Sequence, residues 1–124
     1  MATITEDYVS FEIAKLLKEK GFDEETRKYY PVKGDATGRL MDGSEYPHNH
    51  SQVQICAPTL QMAMKWLRET YDVDISIIPL RSHKEYLPRI ESDTISYDAI
   101  PCRKYEDACE TAIKYCLENL IHVS

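Results

Sequence analysis

No apolar stretch in this chain approaches the ~20 residues a membrane-crossing helix requires. Met1 to Ser10 carries Glu6 and Asp7 where a secretory signal would have lysines and then a greasy run, so a cytoplasmic protein is expected. Basic residues are also in short supply, fifteen against twenty-one acidic, for a net charge of -6. Nucleic-acid affinity rests on clustered Lys and Arg, so this balance disfavours DNA, RNA and anionic membranes as partners while leaving room for a local basic patch. Low-complexity segments and internal repeats are absent.

The motifs of several reaction classes are missing too. There is no G-x-S-x-G, no H-E-x-x-H and no calcium-loop spacing. The glycine-rich stretch "KGDATGRLMDG" at 33–43 lacks the residue order of a phosphate-binding loop, and no helical pattern begins at its end. Carboxylates come in pairs, such as Glu24 with Glu25 and Asp72 with Asp74, as on any acidic surface. Acid–base work needs such a group in a pocket. The sequence nominates no catalytic residue and no cofactor, and leans away from an enzyme.

A chain of 124 residues with 43% apolar content can build one real core, and a single domain is expected over 1–124. Val9, Ile13, Leu16 and Leu17 predict a helix over 7–20, opened by a Thr3–Glu6 capping box and closed by Gly21 with Phe22 behind it. Residues 23–56 read as a long irregular segment with short strands at "RKYYPV" and "SQVQICA". A second helix is expected over 58–71, with Pro58 at its first position, Leu60, Ala63, Met64, Leu67 and Tyr71 on its apolar stripe, and Met62 and Trp66 widening that stripe. "VDISIIPL" alternates like a half-buried strand that Pro79 should stop; "EYLPRIES" and "TISYDAI" follow as strands, Pro88 marking an edge or a bulge. A last helix is expected over 103–121. The fold class is α+β: a small antiparallel sheet of three to five short strands with three helices, the C-terminal half in αβββα order. Trp66, Met64, Leu67, Ile75, Ile77, Ile113 and Leu117 should lie in the core.

Cys102, Cys109 and Cys116 are spaced by seven. Seven helical residues rise ~10.5 Å, too far for a disulfide or for a shared small ion. Cys109 and Cys116 therefore read as small apolar core residues. Cys102, beside Pro101 at a helix start, has the dipole of that helix to lower its pKa but no histidine nearby in sequence to act as its base.

"SEYPHNHSQVQIC" at 44–56 places His48 and His50 one residue apart. Pro47 and Asn49 favour a turn, so the pair could pinch a metal with a third ligand from His83, Asp42, Glu45 or His122. On a strand, Cys56 would stand ~20 Å from His50. Strong zinc signals name four ligands and this one names two, so solvated loop histidines are the competing reading. Among the nine tyrosines, Tyr29, Tyr30, Tyr46, Tyr71, Tyr86 and Tyr97 cluster around the expected sheet and loop. Tyrosine suits interfaces, which nominates Tyr29, Tyr30, Tyr46, Tyr86 and Tyr97 as a protein-binding surface against the plainer reading of half-buried sheet residues.

Three stretches, "YVSFEIAKLLKEKGFDEE" at 8–25, "APTLQMAMKWLRETYDVDISI" at 57–77 and "YEDACETAIKYCLENLI" at 105–121, together resemble a group of small uncharacterised proteins of phages, prophages and mobile elements in gut anaerobes. That group has no established activity, so the resemblance implies a bacterial cytosol and transfers no functional residue. The order of the C-terminal half is also that of double-stranded RNA-binding domains, which grip phosphates at the start of their last helix; here Arg103 and Lys104 are followed by Glu106 and Asp107. The leading expectation is a non-catalytic module that binds a host or phage protein, or a second copy of itself as a homodimer. Metal binding at His48 and His50, and RNA binding, stand behind it.

Overall fold

A computed structural model describes residues 7–43 and 53–121. In chain order the elements are α1 (Phe11–Glu19), β1 (Lys28–Pro31), β2 (Met41–Asp42), β3 (Gln54–Ala57), α2 (Leu60–Tyr71), β4 (Asp74–Leu80), β5 (Glu85–Glu91), β6 (Ser96–Asp98) and α3 (Tyr105–Asn119). The class is α+β, as the periodicities imply. The strands, however, divide into two antiparallel three-stranded sheets, in the orders β2-β1-β3 and β4-β5-β6.

Capping chemistry sets the helix ends. α1 begins later than its sequence pattern suggests, because the Ser10 hydroxyl accepts from the Ile13 N–H and Val9 precedes the helix in extended backbone. Thr3 and Glu6 lie outside the described residues. The Ser10 N–H, which a local capping box would satisfy from the third helical residue, is instead bound by Glu110 of α3 at 3.1 Å. At the other end Gly21 has φ +95, its N–H reaches Lys18 O at 3.2 Å, and the Phe22 N–H reaches Leu17 O at 2.9 Å. This pair of bonds closes the helix as the Gly21–Phe22 signal implies. For α2 the cap is Thr59, whose hydroxyl accepts from Met62 N at 3.1 Å, so Pro58 precedes the helix and is not part of its first turn.

Pro79 reverses its expected role, and Pro88 keeps one of its two, a bulge in place of an edge. Pro79 does not end β4; the strand continues to Leu80. Tyr86, opposite Pro79, spends its N–H and C=O on Cys102 on the far side of β5. The backbone of Pro79 therefore faces the outer edge of the sheet, where a missing donor costs no ladder bond. Pro88 sits in the central strand of its sheet and not on an edge. It accepts from Ala99 N at 2.9 Å but cannot return the bond, and β6 ends at Asp98. Two residues, Ile100 and Pro101, then stand opposite Leu87 before pairing resumes at Tyr86 and Cys102, which is a bulge.

One apolar cluster draws on all three helices and both sheets, including Leu17, Phe22, Ile55, Leu67, Ile90 and Ile113. α3 is its axis: Ala108, Cys109, Ala112, Ile113, Cys116 and Leu117 are each 0% exposed. Leu67 and Met64 are buried as expected, while Ile75 and Ile77 are half-buried and pack on the cluster's edge. Trp66 meets Phe22 and Tyr71 edge-on, with ring centroids 5.4 and 5.3 Å apart. Replacing Trp66 with Ala is expected to cost about 3–5 kcal/mol, a large share of the ~5–15 kcal/mol that holds such a domain. Urea unfolding followed by circular dichroism measures it, and an unchanged midpoint would contradict this packing.

Candidate interaction surface

The second sheet has two unlike faces. Tyr86, Pro88 and Ile90 of β5 point inward, since Pro88 and Ile90 are buried. On the same side Tyr86 meets Tyr105 of α3 edge-on at 5.8 Å, and Tyr97 of β6 stacks on Tyr115 of α3 at 4.3 Å. Strand alternation sends Leu87 and Arg89 the other way, and in the paired strand Ile78 stands directly opposite Leu87. Ile78, Leu80 and Leu87 are half-buried yet do not belong to the core cluster or its packed margin. Among the described residues no helix or strand lies over this outer face.

The bulge adds Ile100, which is 81% exposed, to the apolar end of that face. At the opposite end Arg89 grips Asp98 with two bonds, 2.8 and 3.1 Å long. Hydrogen bonding to Arg89 holds the Asp98 carboxyl below its ordinary pKa and raises that of Arg89. Those charges satisfy each other.

The turn end differs. β4 and β5 are joined by Arg81–Lys84, with Lys84 at φ 54 in the left-handed region and His83 N bonded to Leu80 O at 3.1 Å. The Tyr86–Cys102 bridge, with N–O distances of 2.7 and 2.9 Å, brings the residues leading into α3 against this turn. A groove of about 310 Å³ results, lined by Pro79, Arg81, Lys84, Glu85, Tyr86 and Arg103. None of its three cations is in an ion pair with a described residue. In the sequence Arg103 stands out as a basic residue at a helix start, whereas Arg81 and Lys84 lie in "RSHK" with no local pattern that ties them to it. The bulge that joins them leaves only Pro101 and Pro88 as its trace in sequence.

A larger groove, about 710 Å³, runs beside α1 and is lined by Glu12, Lys15, Leu16, Lys18, Glu19, Ile55 and Glu118. Its charges are mixed, and Glu12 is bound by Lys114 of α3 at 2.8 Å, which lowers the Glu12 pKa.

The tyrosines nominated as a binding surface are divided. Tyr30 is buried, with its hydroxyl donating to Val9 O at 2.5 Å, and Tyr29 lies beside it in β1 of the other sheet. Tyr86 and Tyr97 face α3, and Tyr46 lies outside the described residues. The His48–His50 pair also lies outside them, as do Glu45 and His122. Of the other proposed ligands, Asp42 pairs with Lys28 at 2.9 Å, and His83 Nδ1 sits 3.1 Å from Ser82 Oγ in the β4–β5 turn. Among the described residues no group of three or more His, Cys, Asp or Glu is placed to hold a metal.

None of the four cysteines forms a disulfide. Burial pushes the Cys109 thiol up to about 11 and the Cys116 thiol up to about 12. Cys102 is half-exposed, its Sγ 3.6 Å from Ile100 O and 3.7 Å from Thr111 Oγ1. A thiol reagent is expected to modify Cys102 in the native protein and to reach Cys109 and Cys116 only on unfolding. Burial raises the buried Cys56 thiol as well, and because these core thiols ionise in the folded chain above the ordinary value of 9.0, the unfolded chain sheds protons first. Stability should therefore fall as pH rises from about 9 towards 11–12, and the fall in urea midpoint across that range should be shallower in a Cys109→Ala/Cys116→Ala variant, with Cys56 and Tyr30 keeping part of it.

No family model, curated protein or solved structure matches this chain.

Proposed function

We propose that this chain is a small non-catalytic protein-interaction module, and that it docks its partner on the outer face and turn end of the second sheet. The observation that carries this reading is the apolar group of Ile78, Leu80 and Leu87, held apart from the core, with Ile100 81% exposed beside it. A contiguous apolar patch rimmed by charge is the usual mark of a protein-binding surface. The resemblance of 8–25, 57–77 and 105–121 to phage and mobile-element proteins supports a bacterial host or phage protein as the partner. RNA binding by the αβββα half is the second reading, and the cations Arg81, Lys84 and Arg103 favour it.

Untagged protein immobilised as bait in lysate of the native host tests the leading reading. A partner should be retained by the wild type and by a Lys65→Glu control on the exposed side of α2, and lost from Ile100→Asp. Ile100→Asp alters a solvent-facing side chain, so its fold and stability should match the wild type by circular dichroism. Equal retention by the Ile100→Asp bait, or an empty eluate from the wild type, would reject the docking face.

A further inference from the structure

We infer that the partner presents an acidic peptide segment with interspersed apolar residues, its carboxylates seated among Arg81, Lys84 and Arg103 and its apolar side chains on Leu87 and Ile100. This rests on the docking face proposed above and assigns its ligand chemistry.

Charge complementarity carries the argument. The chain is acidic as a whole, at -6, yet Glu85 is the one carboxylate lining this groove against three cations. Two of the cations come from the β4–β5 turn and the third from the residues leading into α3. They are locked together by the Tyr86–Cys102 backbone pair, so no ordering of a long loop is needed to assemble them. The outer face continues from this groove: Leu80 lines it, and Leu87 and the bulged Ile100 follow. A ligand lying along the two must be anionic at one place and apolar at the next.

A phosphate backbone fits less well. It carries regular charge, and a stretch long enough to bind tightly would leave the groove and pass other acids. Glu106 and Asp107 occupy the first turn of α3, and Arg89 at the far end of the face is already bound to Asp98. A short peptide confines its carboxylates to the groove and offers the apolar atoms that Ile100 requires.

The test is fluorescence anisotropy with a short fluorescein-labelled peptide in which glutamates flank a pair of leucines. Its partners are the same peptide with glutamine for glutamate, the same peptide with serine for leucine, and duplex RNA of equal charge. The glutamate peptide should bind, more weakly as salt rises, and both altered peptides should bind less well. An R81Q/K84Q/R103Q variant should lose about tenfold in affinity, the sum of several exposed charge pairs. Ile100→Ser should weaken binding of the leucine peptide but not of the serine one. Binding of the glutamine peptide as tightly as the glutamate one, preference for the RNA duplex, or no binding of the glutamate peptide would each overturn the assignment. If the host partner is lost from the Ile100→Asp bait but kept by R81Q/K84Q/R103Q, the docking face stands and the acidic ligand falls.

Discussion

The fold depends on how closely α3 can be approached. Its buried side alternates alanine and cysteine with Ile113 and Leu117, all without exposure. Small side chains on a helix let neighbouring backbones come near, and two buried thiols serve that purpose as alanine-sized apolar groups with slightly more volume. α1, α2 and the second sheet all pack against this helix. The polar residues on its flanks then index them: Glu110 holds the N-terminus of α1, Lys114 pairs with Glu12, and Tyr105 and Tyr115 meet Tyr86 and Tyr97.

With both helices of the C-terminal half on one side, the second sheet is left with an outer face. The prolines shape it. Pro79 turns its missing donor to the free edge and blunts that edge against a further strand, while Pro88 ends the pairing with β6 and forces the bulge. The bulge presents Ile100 to solvent and, by restoring pairing at Cys102, sets Arg103 beside the β4–β5 turn. The exposure of Ile100 and the placement of Arg103 thus share one structural cause, a central-strand residue without an N–H.

Much of the fold was legible because it is written in local chemistry. Val9, Ile13 and Leu17, the Gly21–Phe22 stop, the α2 stripe around Trp66 and the α3 face each depend on residues within a few positions of one another. The departures are local as well. A Thr-x-x-Glu spacing suggests a cap that Ser10 provides later, and Pro79 sits inside a strand that its intrinsic tendency would end, since no sequence pattern states which way a strand residue's N–H faces.

The interaction surface was much less legible. Of the tyrosines that composition points to, Tyr30 is inside, and Tyr86 and Tyr97 meet rings of α3, Tyr97 while staying 40% exposed. Arg81 and Lys84 read as ordinary turn residues, some twenty positions from Arg103. By itself the sequence determined the three helices, the longer strands and which of their sides are apolar, because periodicity and capping act over a few residues, whereas the two-residue β2 inside "KGDATGRLMDG" has no such pattern. Only tertiary structure decided that the strands form two sheets, which face no described helix or strand covers, and that three distant cations share a groove. Those outcomes rest on strand register and on the bulge opposite Leu87, which arise when separate segments meet.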